Sequence, residues 1–173
     1  ASGAKTIFFN INAADVEKRK NVLEQVQPQL GGQPVGVLMH SLAFGTLKPF
    51  IAEDPKGQVT KDQMEMTLDV MANSLVYWTQ ELVSRKMMGK GSRVFSMTSS
   101  GGTRVWPSYG AVSAAKAALE SHTRQLALEL APLGISVNCI RAGVTDTPAL
   151  RKIPGSAEMV QKGGYGPYVQ SER

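Results

Sequence analysis

Cysteine is nearly absent from this chain: Cys139 is the single one among 173 residues. One thiol cannot close an internal disulfide, and with only His40 and His122 as imidazoles no cluster has metal-ligand spacing, so no metal is assigned. Cys139 lies in the apolar stretch "ISVNCIRAG" and reads as buried filler rather than a nucleophile. Long hydrophobic runs are missing too. No segment approaches a membrane span and the opening "ASGAKT" lacks a signal-peptide pattern, so a soluble, cytoplasmic protein without a membrane partner is expected. Aromatics are scarce, at 6%, and do not interleave with basic residues along any element. The net charge of +5 is therefore assigned to solvated lysines, and nucleic acid is not expected as a partner.

What is present suits one globular domain: 42% of the residues are hydrophobic, enough for a core. Four short apolar runs read as strands, at 5–11 ("KTIFFNI"), 34–40 ("PVGVLMH"), 92–98 ("SRVFSMT") and 134–140 ("GISVNCI"). They are continuous rather than alternating, as in parallel strands covered on both faces. Helical patterns fill 13–30, 61–88 and 109–132, with Gly31-Gly32 and Gly89-Lys90-Gly91 as caps and turns. Alternation of strand and helix predicts an α/β, Rossmann-like, doubly wound parallel sheet. The final "QKGGYGPYVQSER" is expected to be loop.

Within 61–88, Met64, Leu68, Met71, Leu75, Trp78 and Leu82 form one apolar stripe, while Met66, Val70, Val76 and Val83 extend the apolar surface beyond it. The 109–132 helix carries Val112, Ala115, Leu119, Leu126 and Leu130 beside an alanine-rich flank, with His122 on the same stripe as a structural residue. Two readings stand: an intrachain core, or a core plus a helix bundle shared between subunits of a homodimer or homotetramer.

Ligands of open α/β sheets bind beyond the carboxyl ends of the strands. There the chain has "HSLAFG" (40–45), "SSGGTR" (99–104) and "RAGVTDTPAL" (141–150). Just after the second of these, "PSYGAVSAAKAALESH" sets Tyr109 and Lys116 nearly two helical turns apart, on one face and with only small residues between them. A long lysine leans back toward the helix start, where the tyrosine stands.

These motifs, in this order, resemble the short-chain dehydrogenase/reductase family from its third strand onward. The Tyr-x6-Lys spacing and "HSLAFG" are similar to the enoyl-acyl-carrier-protein reductases within it; the residue four before Lys116, where most other members have tyrosine, is Val112. The resemblance implies hydride transfer from NADH or NADPH to an enoyl thioester carried by acyl carrier protein. It makes Tyr109 the donor to the thioester oxygen, Lys116 the holder of the cofactor ribose, and Ser99 the family's serine. Many enoyl reductases have an aromatic at that serine position. Met71 stands where many relatives have a catalytic asparagine. For the cofactor it implies Asn10 and Ile11 near adenine, Ser41, Leu42 and Ala43 along the nicotinamide side, and Gly143 and Thr147 after the last strand here. Thr147 also suits a helix N-cap. Beyond it, Arg151 and Lys152 face either an acidic carrier or only water.

The family's Gly-rich phosphate loop is absent. If "KTIFFNI" is the family's third strand, its first two strands and its last are missing, and residues 1–173 are one incomplete dinucleotide-binding domain, an internal part of a longer protein. Two alternatives remain open: a 3-oxoacyl or other carbonyl reductase, favoured by Ser99, and a non-catalytic fragment or scaffold that binds no cofactor.

Overall fold

The computed structural model describes residues 3, 5–143, 148, 150–153 and 155–157. Its sheet has three parallel strands in the order β1 (Val37–His40), β2 (Arg93–Thr98) and β3 (Ser136–Arg141). Helix α1 is Val16–Val26, and α4, Gly110–Leu130, crosses from β2 to β3. Between β1 and β2 runs an interrupted helix: α2 (Lys61–Leu68), a π-turn (Asp69–Asn73) and α3 (Ser74–Ser84). The expected α/β parallel architecture is present, with sequential strands joined by helical crossovers.

Local chemistry sets the helix starts. Asp15 caps α1 by accepting the Lys18 N–H, and Thr60 and Gln63 form a reciprocal capping box on α2. The end of α3 departs from the expected 88. Lys86 takes a left-handed conformation (φ 55°) after Arg85, and the Met87 N–H returns to the Leu82 carbonyl at 2.8 Å. This is the helix-terminating position that glycine usually holds, so no sequence signal marked it.

The stripe on the second helix is also broken. The π-turn adds a residue within the helix, which rotates the turns before it by about 100° relative to those after it. Leu68 is turned out of the stripe to 37% exposure, and Thr67 is fully buried in its stead.

Two expectations about the sheet are corrected. Residues 5–11 form no strand, and Phe8 is 85% exposed; no described strand lies alongside to pair with them. The remaining strands are covered on one face rather than two. His40, Val94, Ser96, Thr98 and Val137 are buried under the helices, whereas Val37 and Met39, pointing the other way along β1, are about half exposed. Among the described residues no strand pairs with the free side of β1.

The core lies between this covered face and α3 and α4. Leu75, Leu119 and Val94 are wholly buried at its centre, with Leu82, Leu126, Ile135 and Val137 around them. At the carboxyl end of the strands the same layer turns polar: Ser96 is bonded to Thr123 and Thr98 to Glu120, each at 2.8 Å.

Candidate active site

The polar end of the core opens onto the loops that follow the strands. Lys116 anchors it. Its side chain is buried, 6% exposed, and its Nζ donates to the Met97 carbonyl at 2.7 Å and to the Leu42 carbonyl at 3.3 Å. One ammonium thus joins the end of β2 to the segment after β1. Burial holds its pKa below the ordinary lysine range, offset in part by the nearby Cys139 thiol.

Tyr109 stands at the mouth of α4. Its backbone N–H bonds to the Trp106 carbonyl at 3.1 Å and its carbonyl accepts from Ser113 at 2.8 Å. The ring is half-buried and packs against the cluster of Met71, Val112 and Ala115. Ser108 before it adopts a left-handed backbone (φ 60°), which turns the chain sharply into the helix. From the other side, the Ser100–Gly102 turn presses Gly101 against the tyrosine ring, and the Gly101 N–H donates to Ser99 Oγ at 3.2 Å. Tyr109 and Ser99 therefore meet across Gly101, and Lys116 lies beside Gly102 of the same turn.

The other expected residues divide. Ser41, Leu42 and Ala43 adjoin the group, with the Leu42 carbonyl on Lys116. Gly143 follows β3 and is exposed. Asn10 and Ile11 lie on the unpaired segment; among the described residues no hydrogen bond joins them to the site. Thr147 lies outside the described residues. Arg151 and Lys152 form an exposed turn, and Gly155 just beyond it lies against the Trp106 ring, which places this segment beside the loop leading to Tyr109.

Three features of the site carried no sequence signal strong enough to be assigned. His40 is buried, its Nε2 2.8 Å from Ser74 Oγ. The Ser74 hydroxyl donates to the Val70 carbonyl at 2.8 Å, so the imidazole supplies the proton of the first bond. Burial, with Lys116 second, pushes the His40 pKa down to about 4. Glu120, one turn past Lys116, gathers Thr98 and Arg141 at the ends of β2 and β3. A Cβ added to Gly45 would meet Met71 Sδ and Thr67 Cγ2 at 2.8 Å each, so no side chain fits there. His40 and Gly45 both fall inside "HSLAFG", the one available hint.

The comparison with known families decides the assignment. The model for enoyl-(acyl carrier protein) reductase matches residues 1–166. The chain belongs to that family. It is 27% identical over 155 residues to the NADH-dependent enoyl-acyl-carrier-protein reductase FabI of Nostoc, covering 90% of this chain and 58% of the relative. The NADPH-dependent FabI of Staphylococcus aureus strain MRSA252 is 29% identical over 151 residues, covering 86% and 56%. Among solved structures, the NADH enoyl reductase of Aquifex aeolicus superposes with a TM-score of 0.73 at 26% identity, over 87% of this chain and 56% of that one. The chain thus spans little more than half the length of the relatives it matches.

Proposed function

We propose that this chain supplies the nicotinamide- and substrate-facing part of an NADH- or NADPH-dependent enoyl-thioester reductase of fatty-acid synthesis. One observation carries the reading: Tyr109 stands at the N-cap of the helix that holds Lys116 and packs on the Met71–Val112–Ala115 cluster, while Val112, where most relatives of other types have tyrosine, is itself buried and apolar. The donor set suits a nicotinamide cofactor. Lys116 gives two N–H groups to backbone carbonyls and keeps a third for a ribose hydroxyl. Ser41 and Ala43 are small and exposed beside it, and Gly143 and Thr147 are assigned to the carboxamide side.

When bound, the cofactor supplies hydride to the β-carbon of the enoyl thioester. The chain's own part is to bind the thioester oxygen where negative charge develops, with the Tyr109 hydroxyl as a donor placed in advance. Apolar Phe44, Phe50 and Ile51, all exposed on the segment after β1, offer the acyl chain a surface.

Ser99 favours a second reading, a 3-oxoacyl reductase, because its hydroxyl lies beside the tyrosine ring. Crotonyl and acetoacetyl thioesters, each with NADH and NADPH and followed by nicotinamide absorbance on the full-length protein, separate the two. Turnover of crotonyl thioester supports the first reading, turnover of acetoacetyl thioester alone the second. Failure of both, together with no cofactor binding, leaves a non-catalytic scaffold.

The cytoplasm is the proposed location, and no helix among the described residues is long and apolar enough to cross a membrane. A homodimer or homotetramer is proposed on the exposed Leu68 and Leu128 of the helix pair; a monomer mass in light scattering would count against it. Arg151 and Lys152 are proposed to meet the acidic carrier protein. Exposed charges act mainly on association, so replacing both with glutamate should raise KM several-fold for the carrier-bound substrate and leave a coenzyme A thioester unchanged. Equal losses on both substrates would remove the docking role.

A further inference from the structure

Two adjacent glycines in the turn after β2 meet very different neighbours. A Cβ on Gly101 would collide with the Tyr109 ring and come within 3.2 Å of Ser99 Oγ. A Cβ on Gly102 would meet the tip of the Glu120 side chain at 3.2 Å and Lys116 Cβ at 3.5 Å. The first obstacle is a ring packed on Met71, Val112 and Ala115, which can make room only by leaving that place. The second is the far end of a flexible side chain, which can yield. Neither glycine has a positive φ, so the backbone conformation alone does not call for glycine at either place. Space calls for it at 101.

We propose that Gly101 is a positioning residue for the two hydroxyls of the site: its bare Cα lets the edge of the Tyr109 ring abut the turn, while its N–H occupies a lone pair of Ser99 Oγ. Each consequence follows from hydrogen-bond inventory. Ser99 Oγ accepts from Gly101, so its own proton remains to be donated, and among the described residues neither that proton nor the Tyr109 proton has an acceptor. Two donors at one wall then converge on a single substrate oxygen. An added methyl would push the ring away from the serine and separate them.

This rests on the reductase reading for its kinetic arm only. In the full-length protein, Gly101→Ala is expected to lower turnover by about 10²-fold, the scale of a lost oxyanion donor, with cofactor affinity retained, because Lys116 is untouched. Gly102→Ala should stay within about threefold, the other side of the same comparison. Combined with Tyr109→Phe, Gly101→Ala should cost little more than the Phe variant alone, since both act through one phenol. Independently of activity, the NMR resonance of Tyr109 in cofactor-free, tyrosine-labelled protein, assigned by its loss in Tyr109→Phe, should be shifted by Gly101→Ala and not by Gly102→Ala. Should Gly101→Ala fail to fold, the Tyr109→Ala/Gly101→Ala double variant, which removes the obstructing ring, should fold again. Equal behaviour of the two glycine variants, an unshifted Tyr109 resonance, or failure of that double variant to fold would overturn the proposal. A wild-type protein inactive on every thioester would sink the reductase reading, and the resonance and size rescue would still test Gly101.

Discussion

The two ends of the core are built from different materials. Toward the amino-terminal end of the strands, Leu82, Val94, Leu126 and Val137 belong to one cluster without a polar atom among their side chains. At the carboxyl end, His40, Ser74, Ser96, Thr98, Thr123 and Lys116 are just as buried, and each is tied to a hydrogen-bond partner. An apolar cluster gains stability from every contact but binds nothing directional. A buried polar cluster gives up part of that gain and in return fixes orientation, since each group is costly to leave unpaired. One end holds the molecule together and the other aims it.

That division can be broken most severely at the apolar end. Leu82→Ala should lower the unfolding free energy by about 2–5 kcal/mol, the usual cost of an emptied leucine site. Denaturant titration measures it, and cofactor affinity of the molecules still folded should be unchanged. Tyr109→Phe and Lys116→Ala should do the reverse: turnover of the full-length protein falls by at least about 10²-fold, with the Phe variant's unfolding midpoint nearly constant. Wild-type turnover in the Phe variant would end the tyrosine assignment.

Acid sharpens the comparison further. The folded-state pKa of His40 is near 4, against the ordinary 6.5, so between these values the unfolded chain binds a proton that the folded chain refuses. Stability is therefore full above pH 6.5 and falls toward pH 4, by up to about 3 kcal/mol. His40→Asn should remove this slope in pH-dependent denaturant titrations; an unchanged slope would assign it to other groups. The smallest effect is expected at Ser108→Gly. Relief of the left-handed backbone is partly offset by the freer unfolded chain, leaving a gain of less than about 1 kcal/mol. A clear loss instead would show that the serine side chain contributes contacts of its own.

The helix that carries Lys116 is legible from its periodicity, although Tyr109 proves to be its N-cap rather than its first residue, and the three sheet strands are legible because their apolar runs stand between helical patterns. The run at 5–11 carries the same signal, yet strand formation needs a neighbour, and no pattern within a segment reports whether one is there. Lys86 gives no such signal because it does a glycine's work without being one. Gly101 misleads in the opposite way: in a loop a glycine suggests conformational freedom, whereas this one matters for the volume it leaves to a ring eight residues later. His40 is no more than the first letter of a motif in the sequence, since its burial against Ser74 depends on how the next helix is wound.

That winding has a consequence in the language of heredity. The π-turn at Asp69–Asn73 amounts to one surplus codon inside an otherwise regular helix. Loss of a single triplet there would preserve the reading frame and leave the composition almost untouched. It would also swing α2 round by about 100°. Thr67 would leave the position from which it accepts the Thr46 N–H at 3.0 Å, and the wall against which Gly45 fits would turn away. A deletion three nucleotides long, far from Tyr109 in sequence, would thereby loosen the segment whose Leu42 carbonyl receives Lys116.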